Sequence, residues 1–188
     1  MIAQHLNMTD TRVTFGYVFT ALLAVVTTWI LHEFAHWVTS ESLGYDTMMT
    51  LNTASPVKGQ DVSEWHRFLI SASGPLITIF QAIIVFIFLQ KTWSKHLYLF
   101  LFIAFYMRSL AGVMNIISPN DEGRISEYLG IGLYTLPFII SAFLFYLVYQ
   151  TSKRYRLDRK FQLTTLFATL IFTSALILID QFMSVRIL

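Results

Sequence analysis

Five apolar runs, each long enough to cross a lipid bilayer, constrain this chain more than any other feature of its sequence. They cover residues 13–31, 68–89, 97–117, 131–149 and 161–183. A transmembrane helix needs about 20 predominantly apolar residues, and a helix satisfies its own backbone polar groups inside the membrane. Only 13% of the 188 residues are charged, and the mean hydropathy is +0.60. We therefore predict an all-α polytopic membrane protein with about five transmembrane helices.

The composition excludes several classes of protein and site. The net charge of +2 gives no support for nucleic-acid binding. The chain has no cysteine, which excludes disulfides, thiolate nucleophiles and cysteine-based metal sites. Its amino-terminal residues lack the pattern of a removable signal peptide, so the first apolar run is expected to direct insertion. We predict one membrane domain over residues 1–188, with the site helices in 13–130 and additional helices in 131–188.

Two shorter elements are expected between the spans. The polar connection 41–64 combines β-favouring threonines with the turn-forming residues Asn52, Pro56 and Gly59. This combination predicts a short β-hairpin after the first transmembrane helix. A short helix is expected over residues 125–130, between the third and fourth spans.

The pattern His-Glu-x-x-His lies at the end of the first apolar run, as His32, Glu33 and His36. Residues four apart share one face of a helix, so the two imidazoles are expected to project side by side. Such a pair can hold one zinc ion, with the intervening glutamate beside it as a general base. Ionisable side chains in a membrane segment are costly and therefore point to function. Alternatively, His32, Glu33 and His36 are polar residues at the membrane boundary whose side chains extend to water and bind no metal.

The distribution of basic residues predicts the topology. The N-terminus, the turn at 91–95 and the loop at 153–160 share one side of the membrane and hold eight of the 13 Lys and Arg residues. The positive-inside rule places this side, and with it the N-terminus, in the cytoplasm, across a plasma or inner membrane. The first and third spans then both run outward. This arrangement brings His32, His36 and Asp121 to the same outer face of the bilayer.

Three separated segments, in the same order, resemble the site-2 protease family of intramembrane zinc metalloproteases. They resemble its H-E-x-G-H…L-G, G-P and N-x-x-P…D-G-G-R motifs at residues 32–44, 73–76 and 115–124, respectively. The resemblance implies that Asp121 completes the zinc ligands and that Glu33 is the catalytic base.

The segments also depart from the family pattern. Ala35 stands where Gly is usual, Glu122 replaces the first Gly after the aspartate, and the Asn-to-Asp spacing is shorter. Adjacent residues on a regular element point in different directions, so only one of Asp121 and Glu122 can face the metal. We predict Asp121 as the third ligand, and Glu122 remains the alternative. The outward-facing site also differs from the cytoplasmic orientation that is usual in the family.

Three further polar residues lie in or beside the apolar runs. Asn115 is expected either to contact substrate or to cap the broken end of the third span. Arg108 lies on the same helix face and could stabilise an oxyanion or pair with a carboxylate, of which the ion pair is preferred. Asp180 is expected to pair with Arg124 or Arg186.

These features predict an enzyme that hydrolyses a peptide bond in or near a transmembrane segment of a membrane protein or peptide. One alternative is a catalytically inactive, site-2-protease-like binding or scaffold protein. A metal transporter is the second alternative. A transporter would spread its polar groups through the membrane depth, whereas here they gather at one face, which favours the enzyme.

Overall fold

The computed structural model describes residues 10–183 and 186–188. In chain order its elements are α1 (Phe15–Ser42), β1 (Thr47–Met49), β2 (Ala54–Pro56), α2 (Glu64–Lys91), α3 (Lys95–Met114), α4 (Asp121–Tyr128), α5 (Thr135–Arg154) and α6 (Arg159–Met183). All helices except α4 are long and apolar enough to cross a membrane. The predicted all-α polytopic fold with five spans is therefore confirmed. The N-terminus, which was predicted to be cytoplasmic, lies outside the described residues.

The beginnings of three spans are set by hydroxyl side chains. Thr14, Ser63 and Ser94 precede α1, α2 and α3, and each accepts a hydrogen bond from a backbone N–H in the first turn. Such caps satisfy donors that have no partner inside the helix. The apolar runs thus predict where the spans lie, and the caps fix where three of them begin.

α1 is the central helix of the bundle. It packs against α2, α3 and α6, while α3 also packs against α5. Its buried face includes the small residues Ala21 and Ala24, which allow neighbouring helices to approach closely. The large exposed apolar side chains lie mainly on the outer faces of the spans, where a bilayer would cover them. The His-Glu-x-x-His motif therefore lies on the central helix of the bundle.

The predicted hairpin is present between α1 and α2. β1 and β2 pair antiparallel with Met48 opposite Ser55, and the N–H of Thr50 donates to the carbonyl of Thr53 to close the turn. The short helix is also present, but it begins at Asp121 rather than at residue 125. Carboxylates are favoured in the first turn of a helix, because they face its free N–H groups.

The expected ion pair of Asp180 with Arg124 or Arg186 is wrong. Asp180 instead accepts hydrogen bonds from the hairpin, through the side chain of Thr50 and the backbone of Leu51. α6 is therefore fastened to the hairpin by its last turn.

Candidate metal centre

His32 and His36 lie one turn apart on α1, and both side chains are buried against α2. Their rings meet edge to face with centroids 4.6 Å apart. The helical spacing thus produces the side-by-side imidazoles that the sequence predicts.

Two acceptors on α2 fix the orientation of these rings. His36 Nδ1 lies 2.6 Å from the carbonyl of Ile70, which can only accept, so this nitrogen carries the proton. His32 Nδ1 lies 3.2 Å from the hydroxyl of Thr78, which itself donates to the carbonyl of Gly74. Both Nδ1 atoms therefore donate to α2, which leaves both Nε2 lone pairs free. Metal-binding histidines are typically oriented in this way by a partner on the second nitrogen.

Asp121 reaches the histidines because Asn115 shapes the chain between α3 and α4. The amide of Asn115 donates to the carbonyl of Ala111 and its oxygen accepts from the N–H of Asn120. Asn115 is buried, so its amide stabilises the turn that returns the chain to the site. Of the two roles left open for Asn115, the structure shows the one at the helix break.

Three donor atoms converge between α1 and α4. Asp121 Oδ2 lies 3.1 Å from His32 Nε2 and 3.3 Å from His36 Nε2, and the two nitrogens are 3.1 Å apart. Ligands at about 2.0–2.1 Å from a tetrahedral zinc ion would lie about 3.3 Å from one another. Among the residues that the structure describes, His32, His36 and Asp121 form a group whose ligand atoms lie close enough together to hold a metal ion. Its two imidazole nitrogens and one carboxylate oxygen are a donor set that could hold one metal ion.

The second oxygen of Asp121 is held by Arg124. Arg124 Nη2 lies 2.6 Å from Oδ1, and Arg124 Nε donates to the hydroxyl of Ser71 on α2. A guanidinium at this distance favours the charged form of the Asp121 carboxyl group. Asp121 is therefore ionised at neutral pH, as a metal ligand must be.

Glu122 lies outside the His32, His36 and Asp121 cluster and pairs with Arg108. Its Oε1 lies 3.0 Å from Arg108 Nη1, and both side chains are almost completely buried, at 1% and 3% exposed. The same guanidinium lies 3.4 Å from His32 Nε2 and 3.7 Å from Asp121 Oδ2. The predicted pairing of Arg108 with a carboxylate is confirmed. Of the two competing carboxylates, Asp121 is the one that the structure places at the histidines.

The cluster opens onto a cavity of about 410 Å³. Glu33 lines this cavity beside the histidines, together with Trp29 of α1 and with Asn52 to Ala54 of the hairpin. α6 contributes Ile177 to the lining, so a helix predicted to be additional to the site takes part in it. A carboxylate, three potential ligands and a strand edge thus face one space.

Comparisons with known proteins found no relative of this chain. No family model, no curated protein and no solved structure matches the chain. The function is therefore inferred from the chemistry of the residues themselves.

Gly74 is the residue that allows α2 to approach the histidines. A Cβ atom at this position would lie 2.7 Å from His32 Nδ1 and would also collide with His36 Nε2. Real Cβ contacts essentially never fall below 3.0 Å. Because any side chain here would displace the imidazoles, glycine is required for the ring orientation that the carbonyl of Ile70 and the hydroxyl of Thr78 impose.

Several residues of the site escaped prediction from the sequence. The acceptors at Ile70 and Thr78 depend on how α2 packs, which no local pattern reports. The small residues at 71–75, in contrast, do predict a close approach of α2 to a neighbouring helix. Arg124 belongs to the third motif, but the sequence alone does not place it at the site. Its position one turn after Asp121 in α4 was the available indication, because residues three apart share a helix face.

Proposed function

We propose that this chain is an intramembrane zinc metalloprotease of the site-2 type. One observation carries the proposal: two Nε2 atoms and one carboxylate oxygen converge within 3.3 Å of one another, at the end of a membrane span and beside Glu33. Structural zinc sites are typically closed by four protein ligands, whereas catalytic sites have three and an open position. Three candidate ligands beside a cavity therefore support a catalytic rather than a structural site.

In this proposal His32, His36 and Asp121 would hold the zinc ion. Zinc at such a site acts as a Lewis acid and lowers the pKa of a water molecule to about 7. Glu33 would take a proton from the attacking water as its oxygen bonds to the peptide carbonyl carbon. Glu33 would then give that proton to the amide nitrogen as the C–N bond breaks, which releases a carboxylate and an amine.

The hairpin offers a place for the substrate chain. Backbone bonds join Thr50 to Thr53 and Asp46 to Val57, so alternate residues of β2 face away from β1. The outward-facing groups are the N–H and carbonyl of Ala54 and the carbonyl of Pro56. Within the described residues they make no backbone hydrogen bond.

A transmembrane substrate must unwind locally before its peptide bond can be attacked. Once unwound, its backbone groups need partners, because unsatisfied polar groups in the membrane cost several kcal/mol. An extended peptide could add to the outer edge of β2 as a further strand. Since Ala54 also lines the cavity beside Glu33, this edge would place the substrate next to the proposed base. The substrate class is therefore an unwound membrane-spanning segment, or a peptide close to the membrane.

Zinc analysis of the purified protein beside a cleavage assay on single-span membrane proteins tests this function. We expect about one bound zinc per chain, and cleavage that a chelator stops and added zinc restores. Bound zinc without cleavage of any substrate would instead support the inactive scaffold. Zinc flux into proteoliposomes without cleavage would support the transporter.

We also propose that the site faces outward and that the 153–160 loop lies in the cytoplasm. The support is the excess of Lys and Arg on the side of that loop. Because the chain has no cysteine, a single introduced thiol reports one position. In intact cells, a membrane-impermeant maleimide should label Lys58→Cys but not Lys160→Cys. The reverse pattern would overturn the proposed orientation and place the site at the cytoplasmic face.

A further inference from the structure

Asp180 is a buried carboxylate near the end of a transmembrane helix and is 9% exposed. Acidic side chains in membrane spans are costly and are retained where they bind or position something. Within residues 10–183 and 186–188, Asp180 has no Lys, Arg or His within ion-pair distance. It also lies outside the metal-ligand cluster. Its role is therefore to be sought in the groups that it does contact.

Both oxygens of Asp180 accept hydrogen bonds from the turn of the hairpin. Oδ1 accepts from the backbone N–H of Leu51 at 2.9 Å, and Oδ2 accepts from the hydroxyl of Thr50 at 3.1 Å. Hydrogen bonds to a charged group are about twice as strong as those between neutral groups. Asp180 thus fastens the turn to α6.

The same turn is also held by α1. Trp29 Nε1 donates to the side-chain oxygen of Asn52 at 2.7 Å, and Trp29 lies one turn before Glu33. The hairpin is therefore fixed between the helix that carries the ligands and the last span.

The outer edge of β1 is already occupied. The N–H of Met49 donates to the carbonyl of Leu188 at 3.0 Å, and the N–H of Ile187 donates to the carbonyl of Met49 at 2.8 Å. An added peptide strand could therefore pair with the free edge of β2, whereas residues 187–188 already occupy the edge of β1. The β2 edge is the one that lines the cavity.

We propose that Asp180 is a positioning residue, which holds the hairpin turn so that the outer edge of β2 lies beside the metal site and can bind an extended peptide. That the bound peptide is a substrate rests on the proposed function. The placement of the hairpin by Asp180 can be measured without cleavage.

The first measurement is amide hydrogen exchange on the full chain in detergent, comparing wild type with Asp180→Leu. Leucine favours membrane insertion of α6, so the substitution removes the two hydrogen bonds without impairing the span. We expect exchange at Leu51 and along 47–56 to become roughly ten- to a hundred-fold faster, the range expected for losing hydrogen bonds to a charged acceptor. Asp180→Asn keeps one acceptor for the Leu51 N–H and should restore part of the protection.

Two further variants separate the hairpin from the rest of α6. Thr173→Val removes a buried hydroxyl two turns earlier on the same helix, where no hydrogen-bond partner lies within the described residues. It should leave the exchange of the hairpin unchanged. Thr50→Val removes one of the two bonds from the hairpin side and leaves α6 intact, so it should reproduce part of the effect of Asp180→Leu.

The second measurement is binding of a labelled synthetic peptide of alternating Val and Thr residues, which favours the extended conformation. We expect Asp180→Leu to weaken its binding about ten-fold and to raise KM for a cleaved substrate by a similar factor, with kcat and zinc content nearly unchanged. Unchanged hairpin exchange, unchanged peptide binding, or no binding to wild type would each overturn the inference. Peptide binding that depends on Asp180, in a protein that cleaves nothing, would support the positioning role and refute the proposed protease.

Discussion

Replacing Glu33 by Gln is expected to abolish peptide hydrolysis while zinc remains bound. Glutamine keeps the size and shape of the side chain but cannot take a proton from water. Loss of a general base typically costs about 10²–10⁴-fold in rate. Glu33 lies outside the cluster formed by His32, His36 and Asp121, so the metal content should stay at the wild-type level. Metal analysis and turnover of the same preparation measure both effects.

The matched control for this substitution is Glu127→Gln. Glu127 lies on the exposed face of α4, close in sequence to Asp121 but away from the cavity. It changes the charge of the chain by the same amount, so turnover should remain near that of wild type. Near-wild-type hydrolysis in Glu33→Gln would rule out a mechanism through this carboxylate and leave the metal cluster without an assigned base.

The transmembrane part of the fold was predictable because bilayer thickness sets the length of an apolar run. Helical spacing likewise predicts that His32 and His36 share one face. The hairpin followed from β-favouring residues beside turn formers, and these preferences are local. Each of these features is determined by a short stretch of chain, so it can be read without knowing which helices are neighbours.

The remaining parts of the site depend on contacts between distant segments. The acceptors that orient the imidazoles come from α2, and the hairpin acceptor comes from α6. Asp180 shows why charge alone misled the prediction: a carboxylate can be satisfied by an N–H and a hydroxyl as well as by an arginine. The start of α4 was also missed, because Asp121 and Glu122 are common both in polar loops and in the first turn of a helix.

The electrostatics of the site bear on whether Asp121 or Glu122 completes the ligand set. Asp121 has one oxygen at the two histidines and the other on Arg124. Glu122 accepts a hydrogen bond from Arg108 and forms an ion pair with it. A guanidinium 3.4 Å from His32 Nε2 would repel a zinc ion unless nearby carboxylates offset its charge. Glu122 supplies this compensation, so its expected role is to neutralise Arg108 rather than to bind metal.

Asp121→Ala is therefore expected to lose most of its bound zinc and all cleavage, whereas Glu122→Gln should keep the metal. Loss of a residue that only orients a ligand typically weakens metal binding about 10–100-fold, and loss of a ligand should cost more. Glutamine at 122 preserves the side-chain shape and one acceptor for Arg108. The measurement is zinc content of both variants, purified in the same buffer with the same free-zinc concentration.

Thermal unfolding of the metal-free proteins separates ligand loss from instability. Glu122→Ala would remove the nearer carboxylate of the buried Arg108. Breaking a buried ion pair typically costs about 3–5 kcal/mol, so the Tm of Glu122→Ala should fall well below that of Glu122→Gln. Asp121 is less enclosed, at 13% exposed, and its loss should lower zinc affinity more than the Tm of the metal-free protein. Wild-type zinc content in Asp121→Ala, together with loss of zinc from Glu122→Gln, would make Glu122 the third ligand instead. Full zinc in both would place the third ligand elsewhere, because the two histidines of α1 would then need a different partner.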